Sequence, residues 1–205
     1  MAALTQRISP AGTLFLAALA GTLPVMWWVV VPMLSGANWP DHAGHLFTTM
    51  LHIAGGIGML ALGSAAIFIG WTKRGFRYQR WAGYGYLTLG ILGAITALIL
   101  SIKAEHEPKS LYLATGTLSV VWLATAAMAL RAARNRRFQS HKEWMIRSYV
   151  LSWTFVGCRL ATRVDTYPWL GAESTTAAIW INWVVPLFVC EIALRWKEGS
   201  AARRF

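Results

Sequence analysis

Three groups of residues in this chain have types and spacings that could do chemistry. The first is His52, Arg159 and Asn182, with Thr48 and Thr49 nearby. All lie on apolar segments. His52 falls about two turns below one boundary of its segment, Arg159 about one turn below the same boundary on a segment running the other way, and Asn182 about two turns into the last segment. They therefore share a depth, and Gly55 and Gly56, one helical turn after His52, clear its face. Such a cluster offers a pocket for a quinone, haem b or another small ligand. It would serve equally as a hydrogen-bond network that pins helices together. Haem needs an axial ligand, usually histidine, and a bis-histidine site needs a second one facing the first. His45 lies on the same face of the same segment as His52, the other apolar segments carry no histidine, and only His106, in a loop, could fold over.

The second group is His141, Arg147, Tyr149 and Glu191, at the opposite end of the same segments. Arg147 is about one turn into its segment and Glu191 about one turn from the end of the last. Opposite charges at matched depth in an apolar phase are expected to pair. Glu191 is the one carboxylate inside an apolar stretch, so structural locking is favoured over a proton relay. The third group, Asp41, His42, His45 and His106, combines imidazole and carboxylate donors that suit zinc or copper at a surface site. Loop histidines are more often simply solvated. No phosphate-binding glycine loop, HExxH motif or nucleophile elbow is present.

These residues must be positioned by elements that cross a bilayer. The chain has 205 residues, of which 56% are hydrophobic and only 13% charged, and its mean hydropathy is +0.46. That is too apolar for an ordinary soluble domain and fits a single all-α, polytopic membrane domain. Twelve tryptophans agree, since indole rings favour the membrane–water interface. A net charge of +11 would suggest nucleic acid in a soluble protein. Here the basic residues sit in short loops between apolar runs, which excludes that reading. Cys158 and Cys190 lie within apolar stretches and read as packed free thiols.

A spanning helix needs about 20 apolar residues. Six stretches qualify, at about 13–34, 46–71, 83–102, 111–130, 144–161 and 175–194, predicting a six-helix bundle with kinks at Pro24 and Pro186. The first stretch reads as an uncleaved helix, because no small-residue cleavage site interrupts it. Small residues four apart, Ala54 with Gly58 and Ala61 with Ala65, predict close helix contacts, as do Gly83, Gly90 and Gly93 on the third stretch. Fourteen of the nineteen basic residues fall at one end of the bundle, around Arg77, Arg136 and the two termini. Lysine and arginine mark the cytoplasmic side, so both termini are expected there, in an inner membrane.

The segment His141–Arg163 also carries a resemblance. His141, Trp144, Met145, Arg147, Ser148, Tyr149 and Arg159 resemble the H-x-x-W-M-x-R-S-Y…R signature of a bacterial membrane-protein family known as domain of unknown function 2306. Leu51, His52 and Ile53, followed by Gly55 or Gly56 and then Gly63, are similar to that family's histidine-bearing early helix. Where the family tends to show H-R-x-x-G, this chain has Gln79, Arg80, Trp81, Ala82 and Gly83, so the histidine is replaced. The resemblance spans roughly 46–163 and implies a membrane bundle; it implies no reaction.

Three functions fit these residues: a non-enzymatic ligand binder or subunit of a larger membrane assembly or homo-oligomer; a haem- or quinone-dependent oxidoreductase with its site near the outer face; and a small transporter. The expected orientation is testable directly. Cysteines substituted at Asn38 or Glu105 should react with an impermeant thiol reagent in intact cells, whereas one at Arg136 should not; labelling at Arg136 would invert the topology.

Overall fold

The computed structural model describes residues 27–28, 31–32, 34–36, 44–72, 75–103 and 108–202, and these are helical with short turns between. The helices are α1 (Leu46–Thr72), α2 (Gln79–Lys103), α3 (Lys109–Arg134), α4 (Phe138–Ser152), α5 (Thr154–Arg163) and α6 (Ser174–Ala202). Short 3₁₀ turns at Phe76–Tyr78 and Pro168–Glu173 lead into α2 and α6. Four helical segments are long and apolar enough to cross a membrane: Leu46–Gly70, Phe76–Ile102, Lys109–Arg134 and Pro168–Trp196. The helix passes through Pro186 without ending. The stretch expected at 13–34 lies outside the described residues, apart from five helical positions at its end.

The expected span at 144–161 is corrected by the structure. It starts earlier, at Phe138, and is broken at Trp153 into helices of 15 and 10 residues, each too short to cross alone. The early start places His141 within α4 rather than in a basic loop. At the break Ser152 donates its hydroxyl to the Ser148 carbonyl at 2.9 Å, a back-bond that Ser64 and Thr96 also make within unbroken helices. The Trp153 N–H then reaches Val150 O at 3.2 Å, and the Val156 N–H reaches Trp153 O at 3.0 Å, both of the tighter three-residue type.

Two helices end in the same way. The Arg137 N–H bonds Ala132 O at 2.9 Å and the Arg136 N–H bonds Ala133 O at 3.0 Å, while Arg136 takes φ 57°. At the end of α5, Thr166 and Asp165 repeat the pattern onto Ala161 and Thr162, with Asp165 at φ 46°. This is the Schellman arrangement, in which the left-handed position normally falls to glycine. A side chain there costs about 1 kcal/mol relative to glycine.

Packing is tightest between α1 and α2, then α3 with α4 and α2 with α3; α6 closes the bundle against α3, α4 and α5. The expected small-residue contacts are met in part: Gly58 lies against Leu89 of α2, and Gly90 and Gly93 are contact positions, but Ala54 and Ala61, the first members of the two pairs on α1, are not. Ala54 and Ala61 are exposed, whereas Gly55, Gly56, Met59, Leu60, Gly63 and Ser64 are buried. At Gly55 a Cβ would sit 3.1 Å from both Gly93 N and Leu89 O, so the two backbones touch there. Gly83, expected to thin a contact, faces open space.

The core is aromatic and hydroxylic. Tyr86, fully buried, shares hydrogen bonds with Ser148 Oγ at 2.9 Å and Ser152 Oγ at 3.0 Å. Trp122 donates its indole N–H to Ser152 Oγ at 3.0 Å. Tyr149 and Ser64 hydroxyls lie 2.6 Å apart, with Ser64 donating onward to Leu60 O at 2.8 Å. The rings of Trp122, Tyr86, Tyr149 and Trp153 follow one another at centroid spacings of 5.8, 6.4 and 6.1 Å. Gly63 makes room for two of them: a Cβ there would lie 2.7 Å from Tyr149 and 2.9 Å from Tyr86.

Overpacking at that point should therefore be costly. Gly63→Val is expected to destabilise the bundle by about 1–3 kcal/mol. Gly83→Ala, on a helix face with open space, should be neutral or stabilising by up to about 1 kcal/mol. Thermal unfolding in one detergent compares the two; equal effects would show that Gly63 is not a packing constraint.

Candidate functional site

His52 is held by α2. Its Nδ1 lies 3.1 Å from the carbonyl of Gly93, and since a carbonyl only accepts, Nδ1 carries the proton. In the neutral ring the lone pair is then on Nε2. Thr96 Oγ1 stands 3.5 Å from the same Nδ1 and donates to Leu92 O at 2.7 Å. The other side of the imidazole meets Phe155 of α5, with ring centroids 5.7 Å apart. Gly56 permits this approach, because a Cβ there would lie 2.6 Å from the Phe155 ring. No hydrogen bond to Nε2 is formed among the described residues.

Gly56 lies against Phe155 on helices that run in opposite directions, so four residues earlier on one and four later on the other bring His52 level with Arg159. Arg159 itself is exposed, and its guanidinium makes no hydrogen bond or ion pair among the described residues. It sits one turn from the end of α5, where a long side chain can reach the interface while its stem stays in the apolar phase. Asn182 is spent differently: Nδ2–H donates to Ala178 O at 2.8 Å, and the carboxamide packs against Gly157 so closely that no Cβ fits there. Its backbone carbonyl accepts from Thr154 Oγ1 at 3.3 Å. Thr49 is buried and bonds His45 O at 3.2 Å, and Thr48 is half-buried. The structure thus sets His52 against Gly93, Thr96 and Phe155 with Arg159 at the same level of the bundle, while Asn182 packs on α5 and Thr49 bonds the backbone of its own segment.

At the other end Arg147 and Glu191 form a two-pronged ion pair, Nε to Oε1 and Nη2 to Oε2, the latter at 3.0 Å. The guanidinium also lies over the Trp144 ring, 4.7 Å from its centroid. His141 donates Nδ1–H to Ala129 O at 2.8 Å, tying α4 to α3. Tyr149 belongs to the buried hydroxyl network described above. All four predicted residues of this group therefore have contacts between helices: Arg147 and Glu191 with each other, His141 with α3 and Tyr149 with α1. Of the surface metal candidates, Asp41, His42 and His106 lie outside the described residues; His45 is half-buried, and no group of three metal-ligating side chains occurs among the described residues.

Sequence reasoning missed Phe155, Thr96, Tyr86, Trp122 and the serines they meet. The pair Ser148 and Ser152, four apart in an apolar segment, was the available signal for an inward polar face.

The ion pair should matter to stability because Arg147 is only 12% exposed. Removing one partner of a fully buried pair costs about 3–5 kcal/mol; with Glu191 39% exposed, Glu191→Ala should cost about 2 kcal/mol after solvent screening. The double variant Arg147→Met with Glu191→Met should recover most of that loss in thermal unfolding. A double variant as unstable as Glu191→Ala would show that the pair is not the interaction concerned.

Residues 49–194 match the sequence model of a family described as a predicted membrane protein, domain of unknown function 2306. No curated protein and no solved structure matches the chain. The match covers well over half of the chain, including the histidine of α1, the Arg147–Glu191 pair and the whole hydroxyl network, and the chain therefore belongs to the domain-of-unknown-function 2306 family of predicted membrane proteins.

Proposed function

We propose that this membrane protein binds a small redox-active ligand, a quinone or its quinol, at the end of the bundle away from the basic loops. The observation that carries the reading is the tautomer of His52: with Nδ1–H committed to the Gly93 carbonyl, Nε2 is the acceptor that a quinol hydroxyl needs. Arg159, exposed at the same depth, supplies donors for the second ring oxygen, and Phe155 supplies an apolar wall. A quinone reaches such a site through the lipid, which suits a pocket edged by an exposed residue of α5. Haem b is the alternative ligand, since the same Nε2 would serve as an axial donor; it is less well supported, because no second histidine on a described helix lies at that end. Whether the bound ligand is turned over or only held decides between an oxidoreductase and a binding subunit of a larger membrane assembly.

The same reading carries a topology. In this reading the stretch at 13–34, α1, α2, α3, α6 and α4 with α5 as one broken span make six spans, which puts both termini on one side, taken as the cytoplasmic side of the inner membrane. The basic residues clustered around Arg77, Arg136 and the termini support that orientation.

Absorption spectroscopy and native mass spectrometry of the purified protein test the ligand. The expected result is a colourless protein that binds a short-chain ubiquinone analogue, with binding lost in His52→Ala and weakened about tenfold in Arg159→Gln, the loss of one charge-assisted hydrogen bond. A Soret band would replace quinone by haem, and unchanged quinone binding in His52→Ala would remove the site.

A further inference from the structure

The turn between α3 and α4 has four arginines in seven residues, Arg131, Arg134, Arg136 and Arg137, and all four are exposed. Among the described side chains no carboxylate forms an ion pair with them: Glu143 accepts from Gln139 at 2.6 Å, and Glu191 is taken by Arg147. One of the four stands where the backbone disfavours it. Arg136 occupies the left-handed position that ends α3, at φ 57°, a place that glycine would fill without strain. The chain thus keeps a fourth positive charge in this turn against its local conformational preference. Immediately after the arginines comes Phe138, 70% exposed on the first residue of α4. Trp81 and Trp196, at 74% and 76% exposure, stand at the same end of the bundle on α2 and α6.

Guanidinium groups beside outward aromatic rings match the chemistry of a phospholipid interface, where rings enter the headgroup region and arginines meet phosphate oxygens in two-pronged fashion. A soluble polyanion would use the charges and leave the rings in water. We infer that the α3–α4 turn is a binding site for the phosphate of an anionic phospholipid, held by Arg131, Arg134, Arg136 and Arg137 with Phe138 inserted beside it. This site is independent of the His52 pocket and lies at the other end of the bundle.

The test uses the full chain in neutral detergent, titrated with phosphatidylglycerol, with phosphatidylcholine, or with inorganic phosphate, and followed by native mass spectrometry and thermal unfolding. Phosphatidylglycerol should bind and raise the melting temperature, less so as salt increases, while phosphatidylcholine and free phosphate at the same concentration should not. Arg131→Gln with Arg134→Gln should weaken phosphatidylglycerol binding about tenfold or more. Arg136→Gly separates binding from folding: it should raise the melting temperature in detergent alone, by relieving the left-handed side chain, yet lower the gain from phosphatidylglycerol. The proposal is overturned if both variants keep the full gain, or if phosphatidylcholine or free phosphate reproduces it.

Discussion

Tyr86 enters the centre of the bundle because Ser148 and Ser152 are there to meet its hydroxyl. In an apolar phase an unpaired hydroxyl or indole N–H costs several kcal/mol, and most of the buried polar side chains have a partner built in, the indole N–H of Trp183 and the amide oxygen of Gln79 being the exceptions among the described residues. Trp122 uses the same Ser152, and Tyr149 uses Ser64. Three helices, α1, α2 and α3, are thereby referred to one face of α4. The hydroxyl protons can be ordered so that every donor finds an acceptor: Trp122 to Ser152 to the Ser148 carbonyl, Tyr86 to Ser148 to the Met145 carbonyl, and Tyr149 to Ser64 to the Leu60 carbonyl. The hydroxyl that satisfies Trp122 also back-bonds its own helix, one residue before the turn at Trp153.

Glycine supplies the room. Two large rings and a phenylalanine approach α1 at Gly63 and Gly56, and the α1 and α2 backbones meet at Gly55 and Gly93. Association of helices in lipid draws on close packing and hydrogen bonds rather than on exclusion of water, so the cleared positions and the polar network act together. The backbone contact at Gly93 does a second thing: it brings the Gly93 carbonyl within reach of His52 and so selects the imidazole tautomer.

The two arginines of the fifth apolar stretch show how depth and neighbours separate roles. Arg147 is nearly enclosed, faces a carboxylate with matched geometry and lies over an indole ring; its charge is consumed within the bundle. Arg159, one turn from a helix end, is exposed and makes no hydrogen bond or ion pair among the described residues. The first joins α4 to α6, and the second stands at the bundle surface.

Composition and periodicity by themselves determined that this chain is an all-helical membrane protein, where most of its spans lie, and that Arg147 requires an acid, with Glu191 the one carboxylate in an apolar stretch. Those features depend on solvation energies that each residue carries wherever it is placed. Tertiary structure alone decided which face of α1 is inward, because alanines and glycines look alike as small residues until the neighbouring helix chooses between them. It also decided that Asn182 bonds its own helix while His52 bonds its neighbour's backbone: a hydrogen bond to a carbonyl forty-one residues away has no signature in residue type. The break at Trp153 was likewise invisible, since Ser64 makes the same back-bond as Ser152 without interrupting its helix, and residue type does not tell the two cases apart.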